Sequence, residues 1–400
     1  MKKKIITTLT AGLMALAAMT TPVAAESIPG GKKGSSDGTA LGKTIEIEKE
    51  LVVYNPTEAT VAAPSITYTY TLTAGTADKH ITDERGIEAD TIAGILPATT
   101  TATVVFNNED VSAASNGASN IKTFSFDFSG VTYPRAGVYR YAIAETTNVQ
   151  KTAAGIEDGT ISASRYLDVY VRDAREGETG RQIYGYVLMA NDNDVTAAAE
   201  AAAVKTTGFV ASDDGTADFY KTYNLTVGKT LVNDSYMNSH QFPFTVDFEN
   251  STVTQPVLLK VTTAGTASAV TTPVSEVLGT TTYQPTIANG GTVKYIGIPK
   301  GSSQSVYETD DVHGTTYYSS YKIDNGTKSA DKAIMEGDVS DTATYAEADE
   351  TPVDHAIQFT NEFALISPTG VAWRIAPYAL MLAAGILFAI YSKKTREALE

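Results

Sequence analysis

The chain is 400 residues long, with 42% hydrophobic and 19% charged residues, a formal net charge of −16 and no cysteine. That length supports two or three domains with real cores. The missing cysteines exclude a disulfide scaffold, a thiol nucleophile and a cysteine metal cage, and the acidic balance excludes a basic field for nucleic acid. The 22 Tyr and 12 Phe against a single Trp, on a Thr-, Val- and Gly-rich background, suit pleated, half-buried surfaces and point to an all-β fold.

Residues 1–25 read as a secretory signal peptide: Lys2, Lys3 and Lys4, an apolar stretch from Ile5 to Ala18, and small residues ending at Ala25. Residues 26–40 are Gly/Ser-rich without apolar periodicity, which predicts a flexible leader. From Leu41 the chain runs in short bursts cut by Gly, Pro, Asn and Asp, such as Ser65 to Leu72, Thr123 to Phe128 and Gly137 to Ile143. Period-two alternation of this kind predicts strands with one buried face. Many such strands at regular spacing predict tandem immunoglobulin-like β-sandwich domains. The one helical candidate is the Ala-rich stretch from Val195 to Val204.

A weak internal repeat divides the chain. Ile45-Glu46-Ile47-Glu48-Lys49-Glu50-Leu51 matches Leu225-Thr226-Val227-Gly228-Lys229-Thr230-Leu231, and each is followed by an aromatic strand, with Tyr68 and Tyr70 in one copy and Phe242, Phe244 and Phe248 in the other. Later, the strand ending in Glu145 corresponds to the one ending in Glu308, and Asp218 to Tyr223 parallels Gln358 to Phe363. The repeat places one domain at 41–223 and a second at 224–364.

Residues 365–400 form a separate unit. Ile375 to Tyr391 is a 17-residue uncharged run bounded by Arg374 and by Lys393, Lys394 and Arg396, long enough to span a bilayer and oriented with its basic tail in the cytoplasm. Just before it, Ile366-Ser367-Pro368-Thr369-Gly370 resembles the LPxTG-type sorting signal of Gram-positive surface proteins, with Ser367 where the motif has Pro and Pro368 in the variable place. The resemblance implies that a sortase cuts between Thr369 and Gly370, passes the Thr369 carbonyl to an amine, and leaves a secreted protein covalently attached to the cell wall.

The most informative residue is Lys229. Val227, Lys229 and Leu231 share one strand face, so the lysine points the way the apolar residues point. A lysine directed into a core is costly unless its charge is dealt with. Burial favours the neutral form of both a lysine and a glutamate, and a neutral amine is a nucleophile. Ile357, Phe359 and Asn361 also share a face, which brings the Asn361 carboxamide to Lys229 if the first and last strands of the domain pair. With Glu308 as third member, Lys229 Nζ attacks the Asn361 side-chain carbonyl, Glu308 hydrogen-bonds the carbonyl oxygen and relays protons, and ammonia leaves an isopeptide bond.

These features together resemble the streptococcal two-domain major (backbone) pilins, with FctA-like repeats of the CnaB type, over nearly the whole length. The resemblance implies immunoglobulin-like sandwiches closed by Lys-Asn isopeptide bonds and polymerised by a sortase, with identical subunits, tip or base pilins and peptidoglycan as partners and no cofactor or metal. Lys229, Glu308 and Asn361 match the second-domain set. In the first domain Lys49 and Glu145 match, but the aligned partner slot is Lys221. Asp218 and Asn224 lie three residues to either side and serve only after a register change, since an odd shift turns a side chain to the other face; Asp218 is the better reserve, and a first domain without a crosslink is the alternative. Family analogy places the acceptor for the next subunit at Lys205, with Lys221 as runner-up. The competing reading is a monomeric, wall-anchored adhesin. The acidic runs Asn191 to Asp194 and Ser212 to Gly215 do not complete a calcium loop and read as solvated loops.

Overall fold

The computed structural model describes residues 32–34, 38–82, 86–146, 148–195, 205–212, 214–233, 237–268, 278–279, 282–309, 317–334, 339–346, 351–363 and 368–397. The expected signal peptide, most of the 195–204 helical candidate, and Ile366 and Ser367 lie outside them. The main strands are β1 Lys32–Gly34, β2 Thr44–Tyr54, β3 Ile66–Ala74, β4 Thr101–Phe106, β5 Ala118–Asp127, β6 Gly137–Glu145, β7 Ser164–Arg172, β8 Gln182–Met189, β9 Asp218–Val232, β10 Phe242–Glu249, β11 Thr292–Pro299, β12 Ser303–Glu308, β13 Tyr317–Ile323, β14 Ala343–Ala346 and β15 His355–Phe363; a short helix α1, Asn148–Ala153, follows β6, and α2, Pro368–Glu397, closes the chain.

The fold is all-β, as the composition demands. Among the described residues the strands form three large sheets and a two-stranded ribbon of Thr60–Ala62 with Val111–Ala113; the large ones are β1-β8-β7-β6-β3-β4; a long sheet in which β5, β2, β9, β15 and β13 lie in that order, with β11 also on β9; and β10-β12-β14. The first core takes Ile45, Ile47 and Leu51 from β2, Tyr68 and Tyr70 from β3, and Tyr139, Tyr141 and Leu167 from β6 and β7. The second takes Leu225 and Val227 from β9, Phe242, Phe244 and Val246 from β10, and Ile357 and Phe359 from β15. Each core is thus closed between two sheets whose inward residues alternate with outward polar ones, the arrangement of a β-sandwich.

Strand β9 serves both. Its first residues pair in parallel with β2, from Asp218 opposite Leu51 to Lys221 opposite Tyr54, and its later ones pair in parallel with β15 and antiparallel with β11. The pairing with β11 is bulged between Tyr223 and Asn224. The extra residue is Gly297 on β11, so β9 keeps its period of two. In its first part the even positions 218, 220 and 222 are buried and in its later part the odd positions 225, 227, 229 and 231, because the two cores lie on opposite faces of the strand. A polar cluster braces the passage: Asn224 Nδ2 donates to Asn55 Oδ1 (2.9 Å) and Asp354 Oδ1 (2.8 Å), and Asn55 Nδ2 donates to Thr222 Oγ1 (3.0 Å).

Three features differ from expectation. Within the stretch read as a flexible leader, β1 pairs with Gly185 to Val187 of β8; a Cβ on Gly34 would stand 3.2 Å from Gly185 Cα, so two facing glycines allow this close strand approach. The acidic run at 191–194 is more than a solvated loop, because Asp192 Oδ1 accepts from Arg140 Nη1 at 2.9 Å. The described helix in the first half is α1, which periodicity did not mark because six residues carry too little pattern. The C-terminal segment is helical as expected, with Tyr378, Leu380 and Phe388 exposed. Among the described residues no helix is long and apolar enough to cross a membrane, in contrast to the span expected from Ile375 to Tyr391.

Arg140 is fully buried on β6 and donates to Asp168 of β7 through Nε at 2.7 Å and Nη2 at 2.8 Å. Removing one partner strands the other charge in the interior. Asp168→Ala is therefore expected to lower the unfolding free energy in a urea titration by about 3–5 kcal/mol, and combining Arg140→Met with Asp168→Leu should recover most of it. Equal losses in the single and paired variants would refute the assignment.

Candidate functional site

Two buried constellations occupy corresponding places in the two cores. In the second, Lys229 on β9, Glu308 at the end of β12 and Asn361 on β15 are brought together. Lys229 Nζ donates to Glu308 Oε2 at 2.6 Å, and Asn361 Nδ2 donates to Glu308 Oε1 at 2.6 Å. The side chains of Lys229 and Glu308 are 0% exposed, as is Asn361. The strands fix this: β9 and β15 run parallel with Leu231 opposite Asn361, so the carboxamide lies two residues along from the lysine, and β12 carries Glu308 opposite Phe244 on β10. The Phe242 ring lies 4.2 Å from Lys229 Nζ and screens it from water.

The Asn361 carbonyl oxygen has no hydrogen-bond partner among the described residues. Leaving a buried carbonyl unpaired costs about 1–3 kcal/mol, which favours any process that converts the carboxamide into something better satisfied. The arrangement puts an amine, a carboxyl able to shuttle protons and a carboxamide in one dry pocket, the components that condensation with loss of ammonia requires.

The first constellation repeats the geometry. Asp218 on β9 stands opposite Leu51, again two residues along from the lysine, Lys49. Glu145 stands opposite Tyr70 on β3, as Glu308 does opposite Phe244. Lys49 Nζ lies 2.8 Å from Asp218 Oδ2, 3.0 Å from Glu145 Oε2 and 4.2 Å from the centre of the Tyr68 ring. The slot assigned from the sequence was therefore displaced: Asp218, not Lys221, corresponds to Asn361. Lys221 points outward and pairs with Glu157 at 2.7 Å. Asn224 is committed to the junction cluster. The repeat sets Phe219 against Phe359, whereas the strand register sets Asp218 level with Asn361.

Sequence reasoning missed Lys151. Helix α1 places its ammonium 3.1 Å from Asp218 Oδ1, 3.2 Å from Glu145 Oε1 and 3.0 Å from Asp158. Burial works against its charge, but Asp218, Glu145 and Asp158 outweigh it and hold Lys151 well above the usual lysine range, so it is a cation. Burial likewise pushes the Asp218 carboxyl up, but Lys49, the Gly159 N–H and Lys151 prevail and hold it below the ordinary value. Its proximity to Glu145 across one helical turn and a loop has no sequence pattern.

Of the remaining residues singled out, Lys205 is half-buried and bridges to Met189 of β8. Thr369 and Gly370 fall in the first turn of α2.

Tyr70 Oη donates to Glu145 Oε2 at 3.0 Å, whereas its register equivalent, Phe244, has no hydroxyl. Tyr70→Phe is expected to cost about 1.5–3 kcal/mol in a denaturant titration, as for other hydrogen bonds to a charged group. A change under a few tenths would show that Glu145 does not depend on it.

A family model described as a domain of unknown function (DUF7601) matches residues 223–352. A curated protein named pilin, from Streptococcus pyogenes serotype M1, is 26% identical over 314 residues, 76% of this chain and 79% of that one. Among solved structures, the major pilin from Streptococcus pyogenes aligns with a TM-score of 0.41 and 21% identity over 81% of this chain and 99% of that one. The major pilin T3.2 from serotype GAS13637 gives 0.41 and 22% over 81% and 99%. The chain is thus similar to the streptococcal pilins over three quarters of its length, the resemblance that its repeats and termini carry.

Proposed function

We propose that the protein is a structural shaft subunit of a covalently polymerised pilus on the surface of a Gram-positive bacterium, and that each of its two sandwich domains, 41–223 and 224–364, is closed by an autocatalytic isopeptide bond. The observation that carries this reading is the recurrence of one buried constellation, lysine, glutamate and a side-chain carbonyl two residues along on the neighbouring parallel strand, in both cores. In the second domain Lys229 Nζ attacks Asn361 Cγ, Glu308 relays the protons, and ammonia leaves. In the first, Lys49 attacks Asp218 Cγ with Glu145 in the same role, and water leaves. Treated like a disulfide, a link between residues about 130 apart stabilises by on the order of 5 kcal/mol.

At the C-terminus, a sortase cleaves between Thr369 and Gly370 and joins Thr369 to a lysine of the next subunit, discarding the segment from Gly370 onward. Lys205 is the proposed acceptor. Lys221 suits that role less, because its ammonium is held by Glu157.

Peptide mass spectrometry of the purified full chain tests the crosslinks. One joined peptide should contain Lys229 and Asn361 and be lighter than its parts by one ammonia; another should contain Lys49 and Asp218 and be lighter by one water. Glu308→Gln should abolish the first and leave the second. Finding all four residues in unjoined peptides would sink the reading.

Polymerisation is read on the cell surface, where wall extracts should give an SDS-resistant ladder that Lys205→Arg collapses to a single band. A ladder that survives this change moves the acceptor elsewhere, and a single band from the unaltered protein favours the monomeric adhesin.

A further inference from the structure

Resting on the proposed Lys49-Asp218 bond, we infer that Lys151 is a catalytic residue of the first domain, a cation that makes an aspartate usable where the second domain uses an asparagine. The two sites share register, lysine and glutamate, and differ in the electrophile. A carboxamide is neutral, whereas a carboxylate carries a charge that repels a nucleophile's electron pair and that grows further when the amine attacks. A fixed positive charge at that oxygen removes the difference.

The first site supplies it. Asp218 Oδ1 receives the Gly159 N–H at 3.0 Å, Lys151 Nζ lies 3.1 Å from both carboxylate oxygens, and Oδ2 also faces Lys49 Nζ at 2.8 Å. Oδ1 thus has the backbone donor beside the cation, and Oδ2 is the oxygen turned to the nucleophile. Gly159 has to be glycine: a Cβ there would lie 2.2 Å from the Thr216 carbonyl oxygen, so only a bare backbone brings this N–H to the carboxylate. In the second site the corresponding Asn361 Oδ1 has no donor among the described residues. In sequence, no lysine or arginine follows Glu308 before Lys322, whereas Lys151 stands six residues after Glu145.

Glu145 takes one proton from the Lys49 ammonium, and the freed lone pair of Nζ forms a bond to Asp218 Cγ while the C=O π pair moves onto Oδ1, where Lys151 and the Gly159 N–H hold it. Glu145 delivers that proton to Oδ2, then takes a second proton from Nζ and delivers it to Oδ2 as well. The pair on Oδ1 reforms the carbonyl, the Cγ–Oδ2 bond breaks, and Oδ2 leaves as water. Lys151 keeps its own proton throughout and ends hydrogen-bonded to the amide oxygen.

The test follows bond formation in full-length chain made by cell-free synthesis, chased after synthesis is stopped, with both joined peptides quantified by mass spectrometry. Lys151→Met, which preserves length and packing, is expected to slow the Lys49-Asp218 bond about 100-fold, as loss of one oxyanion donor does elsewhere. The Lys229-Asn361 bond in the same molecules should close at its unaltered rate. Lys151→Arg, which keeps the charge, should recover much of the loss. An equal or faster first bond in Lys151→Met overturns the inference alone, because it would mean that the cation only holds Asp218 ionised and unreactive. So does a joined peptide containing Lys151 in place of Lys49, or a first bond that Lys151→Arg leaves as slow as Lys151→Met does. No Lys49-Asp218 peptide in the unaltered protein overturns the crosslink reading itself and takes this inference with it.

Discussion

A lysine turned into a dry sandwich core is the constraint around which both halves of this protein are organised. An ammonium cannot stay in such a place without a carboxylate, and the carboxylate in turn has to be desolvated, hydrogen-bonded and shielded. Each half meets the demand in the same way. A glutamate comes from the opposite sheet, an aromatic ring lies 4.2 Å over the amine, and a side-chain carbonyl group approaches on the adjacent parallel strand. A buried ion pair adds little stability by itself, because desolvation consumes most of the Coulomb attraction. A covalent bond among the same groups removes both charges, and that is why the chemistry and the packing point the same way.

The parallel pairing of first and last strands is what makes such a bond mechanically useful. In the second half β9 and β15 lie side by side from Leu225 opposite His355 to Val232 opposite Glu362, so a link between them spans the ends of the fold. Because β9 is also the last strand of the first half, a single 15-residue strand carries Asp218 of one site and Lys229 of the other. In the pilus reading, tension leaving one crosslink enters the next along one backbone, with the Asn55, Asn224 and Asp354 cluster bracing the passage.

The two sites are not copies. One offers an asparagine and the other an aspartate, and α1 brings Lys151 to the aspartate. Among the described residues the second site's Asn361 carbonyl oxygen has no hydrogen-bond partner, and its ion pair is Lys229-Glu308. The first gathers two lysines and two buried carboxylates, with Asp158 at the rim. A tyrosine hydroxyl in place of a phenylalanine edge completes the contrast.

Much of this was legible in the sequence. Composition gave the all-β class, and strand alternation gave the inward direction of Lys49, Lys229 and Asn361, because a period of two is a local property that survives any tertiary arrangement. Parity also stated correctly that Lys221 and Asp218 face opposite ways. Which of them faces the core was decided by the register of β9 against β2, which sets Asp218 two residues along from Lys49. The pairing of Lys32–Gly34 with β8 and the arrival of Lys151 depended on contacts between distant segments. Local pattern determines which face a side chain takes; only tertiary pairing determines what waits on that face.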